Sequence, residues 1–216
     1  MRRRARLPHW EQKGATYFVT FRLADALPAQ TLLAFEAERA ALLKQQESPH
    51  ELSADEKKRL DELLSERIQG YLDTGAGACH LANPVIANIV ANALRHFNGT
   101  RYQLFCWCIM PNHVHVIVRP LDSHTLVNIL HSWKSFTALE ANRLLGSKGD
   151  FWQREYYDHF IRDEQDFQRL VEYVVNNPIK ARLENWQWVE VYDTYPGAGA
   201  ESSATIGRLE AGATSQ

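Results

Sequence analysis

A chain of 216 residues, 45% apolar and 23% charged, has the make-up of an ordinary globular protein with room for one sizeable core. It holds no run of about 18 apolar residues, which excludes a membrane-spanning helix of the usual kind. Its basic start MRRRARLPHW leads into no apolar stretch, so a secretory leader is not expected and the cytoplasm is the default location.

The net charge of −2 is unevenly spread: residues 1–22 carry six bases against one acid, a net of +5, and residues 31–73 carry ten acids against six bases, a net of −4. The total therefore neither excludes nor demands a polyanionic partner. The three cysteines, Cys79, Cys106 and Cys108, have no disulfide-framework spacing and fit a reducing compartment.

In chain order, ATYFVTFRLAD alternates and is rich in aromatic and β-branched residues, which predicts a strand over 16–23. Pro28 suits the first turn of the next helix, whose apolar stripe is Leu32, Leu33, Phe35, Leu42 and Leu43. A second charged helix is predicted over 54–72, with Ser53 as N-cap and Glu56 completing a capping box. The two read as a helical hairpin inserted at 31–73 and ended by the glycines of DTGAGACHL. VIANIVANALRHF, after Asn83 and Pro84, predicts a third helix, and GTRYQLFCWCIM a strand joined by a turn at Met110–Asn112 to the strand HVHVIV. An amphipathic helix is predicted over His124–Leu145, a strand over Arg154–Arg162, and a helix capped by Asp163 and stopped by Pro178. The tail 197–216 has the composition of disordered chain. This order implies an α+β fold, an antiparallel sheet with helices on one face, forming a single domain over 1–196. Such sheets commonly hold single-stranded nucleic acid.

MPNHVHVIV carries the first chemical signal. A strand alternates with a period of two, so His113 and His115 share one face, about 6 to 7 Å apart along the backbone, and can converge on one ion. Alone, the pair is as readily a satisfied surface pair. Cys106 and Cys108 would complete a zinc-like set, but a three-residue turn pairs Ile109 with His113 and puts the cysteines on the face of Val114 and Val116. In RLVEYVVNNPIKARL, Tyr173 and Asn177 lie one helical turn apart on one face. An amide oxygen suits magnesium or manganese and a phenol beside it can attack an electrophile; equally, Tyr173 can pack in the core while Asn177 caps the helix before Pro178.

MPNHVHVIVRP, WKSFTA, FWQREYYDHFIR and YVVNNPIKARL, in this order, resemble the IS200/IS605-type single-stranded DNA transposases of the HUH, single-tyrosine class, most closely the REP-associated tyrosine transposases. The resemblance runs from about Ala15 to Trp188, interrupted by 31–73. It implies a ferredoxin/RRM-like palm, His113, His115 and Asn177 as ligands of a divalent ion, Mg2+ or Mn2+, and Tyr173 as a nucleophile that forms a 5′-phosphotyrosyl link with hairpin-forming DNA such as REP-like palindromes. Insertion-sequence members more often carry Gln where Asn177 stands. Tyr156 and Tyr157 are adjacent, so they face opposite sides of a strand, and neither has an amide at helical spacing. Candidate phosphate contacts are Arg2, Arg3, Arg4, Lys134, Arg154, His159, Lys180 and Arg182, with Trp133 and Trp152 as candidate stacking platforms. Two rivals stand beside this reading: a hairpin DNA- or RNA-binding regulator whose catalysis has decayed, and a His-x-His metal hydrolase. A monomer and a homodimer that exchanges nucleophile helices are both compatible with the sequence.

Overall fold

The computed structural model describes residues 14–28, 30, 31, 33, 34, 37 and 67–192. The Arg2–Arg4 arm, most of the predicted 31–73 hairpin and the 197–216 tail lie outside the described residues. The elements are β1 (Tyr17–Arg22), a 3-10 turn (His80–Ala82), α1 (Pro84–His96), β2 (Tyr102–Ile109), β3 (His113–Pro120), α2 (Leu126–Leu145), β4 (Tyr157–Phe160), α3 (Glu164–Lys180) and β5 (Val189–Val191). The strands form one sheet in the order β4-β1-β3-β2-β5, with every neighbouring pair antiparallel. The first six regular elements, β-α-β-β-α-β in the order 4-1-3-2, are the split βαβ arrangement, so the expected α+β class and antiparallel sheet are what forms.

Local chemistry sets the helix ends. Asn83 caps α1 by accepting from the Val85 N–H, with Pro84 in the first turn; Thr125 caps α2 through the Asn128 N–H; Asp163 caps α3 through the Asp166 N–H. Gly146 closes α2 in the left-handed conformation at φ 60.

The helices are shared between the two faces of the sheet, which departs from the one-face expectation. α1 and α2 cover one face, where Ile86, Val90, Leu94, Leu130 and Trp133 meet Val19, Phe21, Trp107, Val114 and Val116. α3 covers the other, where Phe167, Leu170 and Val174 meet Phe18, Phe105, Cys106, Cys108 and Ile117. Both faces of the central strands are thus covered, and β1 is buried along its whole length. Trp133 and Trp152, 3% and 5% exposed, are core residues whose indole N–H groups donate to the Tyr102 hydroxyl and to Thr137 Oγ1, so they offer no stacking platform.

Two further expectations change. Pro178 does not stop α3, which runs on to Lys180; the proline removes one N–H, and the end is closed by Ala181 and Leu183 donating to the carbonyls of Asn177 and Pro178. The β2–β3 connection is two residues rather than three: Met110 donates to the His113 carbonyl and Ile109 pairs with Val114. That one-residue difference puts Cys106 and Cys108 on the same face as His113 and His115. The short β5 was not anticipated from the sequence; it pairs along Cys106–Cys108 of β2.

Candidate active site

Register brings four side chains of β1 and β3 to the α3 side of the sheet, since Thr20 pairs with His115 and Arg22 with His113. Both imidazoles are fully buried and their Nε2 atoms stand 2.9 Å apart. The Nδ1–H of His113 donates to Asn112 Oδ1 at 2.6 Å, because the amide nitrogen of Asn112 is already committed to the carbonyls of Leu72 and Ala76. This fixes the tautomer of His113 and leaves the Nε2 lone pair facing inward, the arrangement that metal-ligating histidines usually show. His115 Nδ1 lies 2.8 Å from Thr20 Oγ1.

Above this strand pair lie α3 and the helical residues 67–73. Tyr173 and Asn177 lie one turn apart on α3; the Tyr173 ring is 5.3 Å from that of His115 and 5.9 Å from Phe18, and Asn177 lies beside Asp73. Helix α3 therefore docks over the histidine strand of its own chain. Asn177 is fully buried, and neither end of its amide makes a hydrogen bond of good geometry, although it lies beside Asp73 and Tyr173 and favours their charged forms. The side chain is thus no helix cap. From residues 67–73 come Gln69 and Asp73. Asp73 Oδ1, itself without a hydrogen-bond partner, lies 3.7 Å from His113 Nε2. Among the described residues, Asp73, His113 and His115 form the one group of His, Cys, Asp or Glu whose ligand atoms fall within 4.8 Å of one another; neither cysteine joins it. Burial pushes the Cys106 and Cys108 thiols well above their ordinary range, as for small hydrophobes.

These residues fit a divalent cation. Two inward nitrogens, a carboxylate and a buried amide without a hydrogen bond of good geometry are a mixed nitrogen and oxygen set, and a poorly bonded amide in a core is costly unless something binds it.

The electrostatics point the same way. Burial, with Arg22 adding to it, pushes His113 down to about 3, and burial holds His115 well below its ordinary value, so both are neutral and ready to ligate. Burial raises Asp73 to about 6 against the pull of Lys180 and Asn177. Burial and the Asp73 charge push the Tyr173 phenol up from its ordinary value. One consequence is measurable in metal-free protein. Below about pH 6.5 the unfolded imidazoles take protons that the folded ones refuse, which destabilises the fold as pH falls. The Asp73 carboxyl, taking its proton earlier folded than unfolded, opposes this between about 6 and 4. Two imidazoles outweigh one carboxyl, so chelator-treated protein is expected to lose roughly 1 kcal/mol per pH unit between pH 6 and 5 from these groups. Urea unfolding at pH 7 and pH 5 checks this, and a stability that rises on acidification contradicts it.

The other expected residues are scattered. Lys134 is half-buried, donates to the carbonyls of Gln153 and Arg154, and is lowered by burial to about 8. His159 is paired with Asp166 at 2.8 Å. Arg154, Lys180 and Arg182 are exposed, and the Lys180 ammonium sits 5.5 Å over the Tyr173 ring. Tyr156 packs on the α1/α2 side and Tyr157 on the α3 side, opposite faces as the alternation implies. Residues that the sequence reading missed are Thr20, Asn112, Gln69, Asp73 and Arg22. Arg22, 7% exposed and held by Gln153 at 2.6 Å, is a buried cation directly across from His113.

Comparison with known proteins finds a family match over part of the chain. Residues 83–177, less than half of the chain, match the family described as "Transposase IS200 like". A Haemophilus influenzae protein described only as uncharacterized is 32% identical over 33% of this chain and 51% of its own. A second one, named "Putative REP-associated tyrosine transposase", is 27% identical over 41% of this chain and 53% of its own. The chain thus spans about half the length of the curated relatives it matches. A solved REP-associated tyrosine transposase bound to a REP hairpin aligns with a TM-score of 0.44 at 16% identity, over 82% of this chain and 74% of that one.

Proposed function

We propose, from the premise that residues 83–177 belong to the IS200-like transposase family, that this chain is a REP-associated, metal-dependent single-tyrosine endonuclease and strand transferase acting on single-stranded, hairpin-forming DNA. The observation that carries the proposal is the approach of Tyr173 on α3 to His115 on β3, with Asn177 buried beside the Asp73 that reaches His113, in one chain.

His113, His115 and Asn177 would hold the ion, Mg2+ or Mn2+, with Asp73 as the one negatively charged group of the set. When bound, the ion supplies positive charge at a non-bridging oxygen of the scissile phosphate. The chain's own residues do the rest. The Tyr173 oxygen attacks phosphorus in line, the bond to the 3′ oxygen breaks, and that oxygen leaves as a 3′-hydroxyl once it has taken a proton. The new phosphotyrosyl bond keeps the phosphodiester's energy, so attack by another 3′-hydroxyl rejoins or transfers the strand. Lys180, above the phenol ring, favours the phenolate during attack. Arg22, buried across from His113, is placed to meet a phosphate oxygen. Arg154, Lys180 and Arg182 are the described candidates for contacts to flanking phosphates; Lys134 orders the loop that carries Arg154, and His159 is engaged with Asp166. Arg2, Arg3 and Arg4 remain proposed phosphate contacts from the amino-terminal arm.

Incubation of the purified chain with end-labelled hairpin oligonucleotides and Mg2+ or Mn2+ tests this. The expected product is a denaturation-resistant adduct carrying the DNA 3′ of the cut, with a free 3′-hydroxyl on the other piece. Binding without an adduct across a panel of hairpins would favour a regulator, and cleavage without an adduct a hydrolase. Tyr157, the other tyrosine on the α3 side, sharpens the test. Its replacement by Phe is expected to leave adduct yield within about threefold, because no amide ligand accompanies it and it packs against Phe18 at 6.3 Å.

A further inference from the structure

The acidic segment between β1 and α1 reads in the sequence as a spacer or support. Its last described helical turns, residues 67–73, instead reach the candidate site at three points. Asp73 approaches His113 at 3.7 Å. The backbone carbonyls of Leu72 and Ala76 hold the Asn112 amide, whose oxygen holds His113. Gln69, one turn before Asp73 and so on the same face, makes the third connection. Its Nε2 donates to Thr20 Oγ1 at 3.1 Å, and its Oε1 accepts from the Tyr173 hydroxyl at 3.4 Å.

Together these bonds form one line: Tyr173, Gln69, Thr20, His115, His113, Asn112, and back to the carbonyls of Leu72 and Ala76. Gln69 gives a hydrogen to Thr20 Oγ1, and that oxygen can also accept the Nδ1–H of His115, which leaves the His115 Nε2 lone pair aimed at the same point as that of His113, as two ligands of one ion require. Both ends of the line are anchored between Gln69 and Ala76. Gln69 is the one member that touches both the phenol and the support of a histidine.

We infer that Gln69 is a positioning residue: it holds the Tyr173 hydroxyl in place and, through Thr20, supports the ring of His115. The helical end of the inserted segment is thereby part of the catalytic apparatus. The consequence for strand cleavage rests on the function proposed above, but the hydrogen-bonding role does not.

Two variants separate the two. Gln69→Leu keeps the bulk of a half-buried side chain and removes both bonds. Gln69→Glu still accepts from Tyr173 and takes the hydrogen of the Thr20 hydroxyl, so it keeps a connection to both. In metal-free, DNA-free protein, carbon-13 spectra of labelled tyrosine are expected to show the Tyr173 Cζ signal shifted in Gln69→Leu and close to wild type in Gln69→Glu. In adduct assays, Gln69→Leu is expected to lower kcat about 10- to 100-fold, the scale of a misplaced nucleophile, with KM for the hairpin within about threefold. An unshifted Tyr173 signal in Gln69→Leu overturns the inference, as does a kcat within threefold of wild type in the same variant. Absence of any adduct from wild type would instead sink the proposed function, and the spectra would still decide the role of Gln69.

Discussion

Tyr173→Phe is expected to abolish the covalent DNA adduct, by a factor on the order of 10⁴ or more, while hairpin binding and Mn2+ affinity stay within a few-fold of wild type. The size follows from chemistry: without the oxygen there is no atom to form the bond to phosphorus, and no other group replaces it. The selectivity follows from packing. A phenylalanine ring keeps the edge contacts to His115 and Phe18 at 5.3 and 5.9 Å and loses only the hydroxyl, whose bond to Gln69 is long at 3.4 Å. The fold is therefore expected to lose less than about 1 kcal/mol. An adduct of undiminished yield in Tyr173→Phe would remove Tyr173 from the mechanism and direct attention to Tyr157, which lies on the same side of the sheet. A second readout separates loss of nucleophile from loss of fold: the variant should still be stabilised by Mn2+ as wild type is, because no proposed ligand has changed.

The parts of the site that were legible in the sequence are those joined by local geometry. His113 and His115 are two apart on a strand, and Tyr173 and Asn177 four apart on a helix, so a period of two or 3.6 places each pair on one face before any tertiary contact is known. The helix cap at Asp163 is equally local. What was not legible depends on pairing. Turn length alone decides whether Cys108 faces with the histidines or against them, and a two-residue turn at Pro111 and Asn112 cannot be told from a three-residue one by composition. The three residues of β5 are too few to show a period, and they form a strand because the free edge of β2 accepts them.

Gln69 and Asp73 were hidden for a different reason. On a charged helix an acid and an amide one turn apart look like a solvated face, and only the fold reveals that this face lies against histidines some forty residues further along the chain. Asn112 shows the same limit: it reads as a turn residue, yet it is fully buried and links the inserted segment to His113. Arg22 reads as the last polar residue of a strand, and its position across from His113 follows only from the register of β1 on β3.

The buried amide of Asn177 leads to the second large effect. Both of its polar ends are fully buried and make no hydrogen bond of good geometry, a state that costs about 1 to 3 kcal/mol in a protein whose net stability is only a few times that. If the amide is kept because it ligates an ion, an apolar side chain of similar volume should relieve that cost and remove the ligand together. Asn177→Leu is therefore expected to stabilise the metal-free protein by about 1 to 2 kcal/mol and to abolish most of the extra stability that Mn2+ confers, which for wild type reaches about 2.7 kcal/mol at a hundredfold excess over Kd. Urea unfolding with and without Mn2+, and Mn2+ titration by calorimetry, read the two effects separately. A purely structural amide would behave in the opposite way: the leucine variant would be destabilised and its Mn2+ affinity unchanged. Asp73→Asn provides the internal contrast. It keeps the shape, removes the one negative charge of the set, and is expected to weaken Mn2+ binding about 10- to 100-fold without the gain in metal-free stability, since it exchanges a carboxylate at the edge of the site for another amide rather than removing a buried one.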